Sequence, residues 1–338
     1  MEGDADMLKT IGCSLAVVVI CACGVSASAE LVIDMVTVGN PGNPEDTHGD
    51  GHGRVNYAYD IGKCEVTAGQ YTAFLNAVAG VDTYGLFNPR MWSSDYGCKI
   101  ERYAGNGTPG APFQYRVAED WADRPVNYIS WGDAARFVNW LHNDQPTGSQ
   151  GLGTTEDGSY FLNEAMSDDA LLAVTRKSDA TWVIPREDEW YKAAYHKNDG
   201  VTGNYFDYPT GSDSVPSNDL VDPDPGNNAT YDDGDYTIGS PYYRTEVGAH
   251  ENSASPYGTF DQGGNVAEWT EAIFYGSTRG SRGGAFCFGE VYLRAAYDTG
   301  CVNPTAEGRN FGLRVCRVPE PASIVTLALA GLATLRRR

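Results

Sequence analysis

The chain has 338 residues, 41% of them apolar, which is long enough to bury a sizeable core and too apolar for a disordered chain. Its formal charge is −21, and such a surface repels nucleic-acid phosphates and anionic lipid headgroups, so no nucleic-acid partner is expected. The 40 glycines, 21 tyrosines and 7 tryptophans predict a loop-rich fold pinned by aromatic rings rather than a helical bundle.

Residues 1–29 read as a signal peptide. Lys9 precedes the apolar run Ile11–Val25, and Ala27-Ser28-Ala29 supplies a small-x-small cleavage site before Glu30. Gly39–Val55 is Gly-rich and is expected as flexible surface. Within it His48 and His52 are four residues apart, the spacing of a helical zinc pair, but the intervening glycines break a helix, so a solvated loop is expected. Three helices follow. Thr67 caps the first, with Tyr71, Phe74, Leu75 and Val78 on one face, and Ser130 caps the second, with Ala134, Phe137, Val138 and Leu141 aligned. The third begins near Ile184, where Glu187, Asp188 and Glu189 suit a first helical turn. Trp131, Trp140, Trp182, Trp190 and Trp269 are expected in the core rather than on a sugar-stacking platform. Asp219–Tyr236 is acidic and rich in turn residues, a second candidate for exposed loop, and its "DPDPGNN" reads as a turn rather than a calcium-binding loop. Elsewhere short strand-like pieces alternate with Gly, Asn, Asp and Pro clusters, giving an α+β single domain over residues 30–318 with little regular structure.

Residues 319–338 form a three-part tail: Pro319-Glu320-Pro321, the apolar run Ala322–Leu335, and Arg336–Arg338. As a helix that run rises about 21 Å, short of a hydrocarbon core of about 30 Å. The tail resembles the PEP-CTERM sorting signals of Gram-negative bacteria. That resemblance implies an exosortase-type partner, a membrane contact that is only transient, and release to the outer surface or exopolysaccharide. Both ends carry as many acids as bases, so the exported part keeps the charge of −21. It also keeps Cys64, Cys98, Cys287, Cys301 and Cys316, an odd number bound for an oxidising compartment, where disulfides form.

Five ordered blocks carry a second resemblance: "YDIGKCEVTAGQYTAFLNAV" (59–78), "RPVNYISWGDAARFVNWLHN" (124–143), "WVIPREDEWYKAAY" (182–195), "ASPYGTFDQGGNVAEWT" (254–270) and "RGGAFCFGEVYLRAAY…NFGLRVCR" (282–317). Together they resemble the formylglycine-generating enzyme family, the sulfatase-modifying factors. The resemblance implies that family's fold, a variant of the C-type lectin fold with little regular secondary structure that often binds calcium. Fold alone does not imply activity.

Active members of the family carry two cysteines five residues apart after the glycine pair. These bind copper(I) and engage a substrate cysteine, with dioxygen as oxidant, and soft thiolates suit that metal. Here Cys287 stands alone and Tyr292 lies five residues on. Cys287 is left with three roles, a catalytic thiol, half of a disulfide, or a buried thiol. "GGNVAEWT" matches the family's calcium loop, which implies ligands from Asn265, the Val266 carbonyl and Glu268, unless these residues only pin the loop. A second calcium site would use Asn228 and Asp235. Arg282, Arg294 and Arg314 suit either a carboxylate ligand or buried salt bridges. The first functional expectation is a calcium-steadied surface module that binds a peptide or glycan. Its rival is a copper- and oxygen-dependent oxidase acting on sulfatase cysteines. A third reading, the iron chemistry of ergothioneine-synthesis relatives, requires a histidine cluster, and His142, His196 and His250 are scattered.

Overall fold

The computed structural model describes residues 30–48, 51–105, 112–297 and 300–320, so the expected signal peptide and most of the sorting tail lie outside the described residues. In chain order the elements are β1 (Met35–Val38), β2 (Tyr59–Gly62), α1 (Ala68–Val78), α2 (Arg90–Ser93), β3 (Ile100–Ala104), β4 (Phe113–Val117), α3 (Trp131–His142), α4 (Asp168–Ala173) and β5 (Trp182–Val183). They continue with α5 (Glu187–Tyr195), β6 (Ala267–Phe274), β7 (Thr278–Arg282), β8 (Gly300–Val302), β9 (Phe311–Gly312) and β10 (Cys316–Arg317). No helix among the described residues is long and apolar enough to cross a membrane.

The three expected helices form where their caps place them. Thr67 and Gln70 close a capping box on α1, and Ser130 and Asp133 close one on α3. These boxes satisfy amide donors that a helix start otherwise leaves without partners. Phe74 of α1 meets Phe137 and Trp140 of α3 with ring centroids 5.3 Å from each. Around that contact lies the main core, which includes Trp131, Trp140 and Trp269. Trp190 is equally buried in a neighbouring cluster, and Trp182 is half-buried against the main core. The tryptophans are thus structural, as expected. The short helices α2 and α4 span only four and six residues, too few for a hydrophobic period to be read from sequence.

Two four-stranded sheets and a two-stranded β3–β4 sheet carry the rest. One runs β1-β2-β10-β5 and joins the start of the domain to its end, with Cys316 opposite both Ile61 and Val183. The other runs β8-β7-β6-β9, with Glu268 opposite Arg282 on the β6–β7 hairpin. Between α5 and β6 the chain forms no helix or strand, only isolated bridges.

Both loops expected as solvated surface prove to be anchored. In the Gly-rich segment Asn43 is buried and donates to the Gly53 carbonyl at 2.8 Å and to Tyr205 Oη at 2.7 Å. His48 lies beside Asp46, and His52 beside Asp188. In the acidic segment Asp224 is buried and accepts from the Gly226 and Asn252 amides and the Ser253 hydroxyl. Buried backbone needs hydrogen-bond partners, and here side chains replace the missing ladders.

Gly264 is the tightest point of this packing. The Asn265 amide bonds the Thr230 carbonyl at 2.7 Å, and a Cβ on Gly264 would stand 2.1 Å from that oxygen, at φ +92°. Gly264→Ala is expected to cost roughly 2–4 kcal/mol through clash and left-handed backbone strain. Urea unfolding of the variant checks this, and an unchanged midpoint would mean that the Thr230 segment yields freely.

Candidate functional site

The β6–β7 hairpin and the turn after it bring together most of the residues that the sequence singles out. β7 ends at Gly283-Gly284, with φ +94° and +71°. A Cβ on Gly283 would stand 2.6 Å from the Gln262 carbonyl, and one on Gly284 would stand 3.0 Å from Tyr292 Cβ. Only glycine passes this turn without strain, and the turn delivers Phe286-Cys287-Phe288.

Cys287 is half-buried and is a free thiol, as are Cys64, Cys98 and Cys316, so of its three roles the disulfide is not formed. Cys316 is buried in the terminal sheet, and Cys98 belongs to the main core. Burial pushes the Cys287 thiol above its ordinary range, and Arg309 only partly opposes the shift. A reactive cysteine needs the reverse, a thiolate held in an electropositive and accessible place. Tyr292, five residues after Cys287, stacks on Phe288 with centroids 4.8 Å apart.

The loop matched to calcium has a different first partner. Glu268 is fully buried, and Arg314 Nε donates to both its carboxylate oxygens at 3.0 and 2.9 Å. Arg314 Nη2 adds a bond at 2.7 Å and Trp190 Nε1 another at 2.6 Å. Asn265 is buried at φ +52°, and neither its amide oxygen nor its amide nitrogen has a partner. Asn228 donates to Asp224 at 2.5 Å, and Asp235 is exposed and offers its backbone carbonyl to Asn218. Among the described residues, no three His, Cys, Asp or Glu side chains gather on one point.

Further acids stand near Glu268. Glu65 and Asp261 act electrostatically on each other and on the Glu268–Arg314 pair, so one guanidinium faces three acids. Glu65 and Asp261 lie within side-chain hydrogen-bond reach of each other, and burial pushes both carboxyls up. Such an acid pair takes up either a proton or a cation. Sequence reasoning missed Glu65 and Asp261, although each lies inside a matching block.

A third feature lies around Cys287. Tyr96, Tyr236, Tyr243 and Phe286 form one aromatic cluster, with Tyr96 and Tyr243 centroids 4.6 Å apart. Arg309 covers Tyr96 at 4.5 Å, and Arg244 lies 5.6 Å from the Phe286 centroid. Arg244 is fully buried, its Nε and Nη2 lack partners, and burial lowers it to about 10. Arg309 is therefore the exposed cation of this face. Of the three arginines weighed from sequence, Arg314 and Arg282 are buried in salt bridges, to Glu268 and Glu187, while Arg294 pairs with Glu290 at the surface.

Compared with known families, the chain matches the Sulfatase-modifying factor enzyme 1-like domain over residues 31–319. The chain belongs to that family. No curated protein matches it. Among solved structures it is similar to Treponema denticola variable protein 1, at 19% identity and a TM-score of 0.51, over 84% of this chain and 95% of that one. It is also similar to CarF, at 18% identity and a TM-score of 0.49, over 86% and 99% of the two chains. PvdO from Pseudomonas aeruginosa follows at 17% identity and 0.47, over 84% and 94%. At 19% identity the likeness to Treponema denticola variable protein 1 concerns the fold alone, and it agrees with a single α+β domain of low regular structure.

In this family member the protonation of Cys287 is directly measurable. Its labelling by iodoacetamide, followed by peptide mass spectrometry, should stay slow at neutral pH. The rate should rise only above the pKa of an ordinary thiol, about 8.5. Full labelling speed at neutral pH would mean a resident thiolate.

Proposed function

We propose that this chain is a catalytically divergent family member that works as a binding or structural module outside the cell. The observation that carries the reading is Cys287, a half-buried thiol held protonated, with Tyr292 rather than a second cysteine five residues on. The two thiolates that hold copper(I) in active relatives have no evident counterpart at this turn. The aromatic face around Cys287 supports the binding side of the proposal. Tyrosine rings contribute large contact area at little entropic cost and suit a peptide backbone or a sugar ring. Export by the N-terminal segment and exosortase-type sorting of the tail would place the module at the surface or in the exopolysaccharide of a Gram-negative cell.

The test is turnover. The chain is mixed with copper, air and a peptide bearing the sulfatase Cys-x-Pro-x-Arg motif, and mass spectrometry follows the cysteine. No formylglycine is expected. Conversion by the wild type that is lost in Cys287→Ser would make the chain an oxidase with a one-cysteine site and overturn the proposal.

We also propose calcium as the steadying ion, held by oxygens of the Asn265–Val266 segment beside the buried Glu65 and Asp261 carboxyls and Glu268. Its contribution there is neutralisation of buried acid charge. At about a hundredfold excess over its dissociation constant, calcium should add about 2.7 kcal/mol and raise Tm by at least about 5 °C. Glu65→Gln should remove most of that rise in a thermal melt. An unshifted wild-type melt would leave a proton, not calcium, as what these acids hold.

A further inference from the structure

We infer that the cavity beneath Gly283-Gly284 is a binding pocket for a phenolic ring, supplied by a tyrosine side chain of a partner peptide or by a free phenol. The inference rests on the binding-module reading and gives it a ligand class. The cavity encloses about 140 Å³. Phe288, Tyr292, Tyr297 and Phe311 line it, with Tyr292 stacked on Phe288 and its centroid 4.6 Å from that of Tyr297. An apolar cavity of about 150 Å³ accepts one benzene ring, so the space fits a single ring and little more.

One polar feature sets what that ring must carry. Arg282 lines the cavity and is only 3% exposed. Its Nε is bound to Glu187 and its Nη1 donates to the Tyr297 carbonyl at 2.8 Å, but its Nη2 has no partner. A buried donor without an acceptor is costly, and a ligand oxygen would remove that cost. Glu187 already neutralises the guanidinium charge, so a carboxylate ligand gains no net attraction in a chain of −21. A neutral oxygen suffices. Ser281 and Asn310 also line the cavity, and either can accept the proton of a phenol. A monosaccharide fits poorly, because aromatic walls would leave most of its hydroxyls without partners.

The position suits a peptide on the neighbouring face. In Phe286-Cys287-Phe288, Phe286 joins the Tyr96–Tyr243 cluster and Phe288 lines the cavity. Cys287 stands between the two, so a chain lying over the tyrosine cluster is within reach of the cavity.

The experiment is ligand-observed saturation-transfer NMR with titration, on the full chain, using p-cresol, toluene, N-acetyl-tyrosinamide and methyl glucoside. The phenol hydroxyl should favour p-cresol over toluene by about tenfold. Arg282→Lys should reduce that preference several-fold. Because Arg282 is also part of a buried ion pair, Val302→Trp serves as a second variant: it fills the cavity from β8, leaves the buried polar groups intact and should abolish binding. Tighter binding of N-acetyl-tyrosinamide than p-cresol identifies a peptide source, and the reverse identifies a free phenol. Three results overturn the inference: equal affinity for toluene and p-cresol, binding unaffected by Val302→Trp, or no transfer to either phenol from a folded chain. Displacement of p-cresol by methyl glucoside also counts against it. The binding-module reading fails separately, by turnover that depends on Cys287, and that result would leave the cavity titration unchanged.

Discussion

The buried pair of Arg314 and Glu268 ties the two sheets of this protein to each other. Arg314 also donates to the Gly62 carbonyl at 2.8 Å and the Phe260 carbonyl at 2.7 Å, while Glu268 accepts from Trp190. One guanidinium therefore joins the end of β2, the segment before the GGNVAEW loop, β6 and, through the carboxylate, α5. Removing either partner from such a pair leaves an uncompensated buried charge, at a cost of about 3–5 kcal/mol. The position of the Cys287 turn depends on this anchor, because β7 pairs with β6 across Glu268 and Arg282.

Long stretches without helix or strand need another source of order, and here it is side chains bonded to backbone. Asn139 donates to the Thr155 and Tyr160 carbonyls and accepts from the Tyr160 amide, each at 2.8 Å. Arg279 stacks 3.8 Å over Trp131 and donates to the Leu171 and Val174 carbonyls. Asp224 does the same for the acidic loop. Each of these residues closes contacts between segments that share no sheet. This lets the chain carry many loops at its surface and still satisfy its interior polar groups.

That scaffold bears on function through the turn after β7. The same glycine pair that would present a reactive thiol in an active relative here presents an aromatic run with one protonated cysteine. Rings gather on both sides of it: tyrosines beside Arg309 on one side, and an enclosed aromatic cavity on the other.

Local features were legible from the sequence alone. The capping boxes at Thr67 and Ser130, the helical period of α1 and α3, the core tryptophans and the five ordered blocks all depend on residues close in the chain or on a family pattern. The Gly-rich and acidic loops were legible as surface, but the buried anchors Asn43 and Asp224 within them were not. Their burial depends on Tyr205, 162 residues from Asn43, and on Ser253, 29 residues from Asp224. The matched calcium loop was legible as a motif, but its occupation by Arg314 was not, and neither was its crowding by Glu65 and Asp261. Likewise, only the chain path brings positions 96, 236, 243 and 286 into one cluster, or sets an unpaired Arg282 nitrogen in an aromatic cavity. Sequence determines what a residue can donate, accept or bury, and tertiary structure decides which distant group stands opposite it.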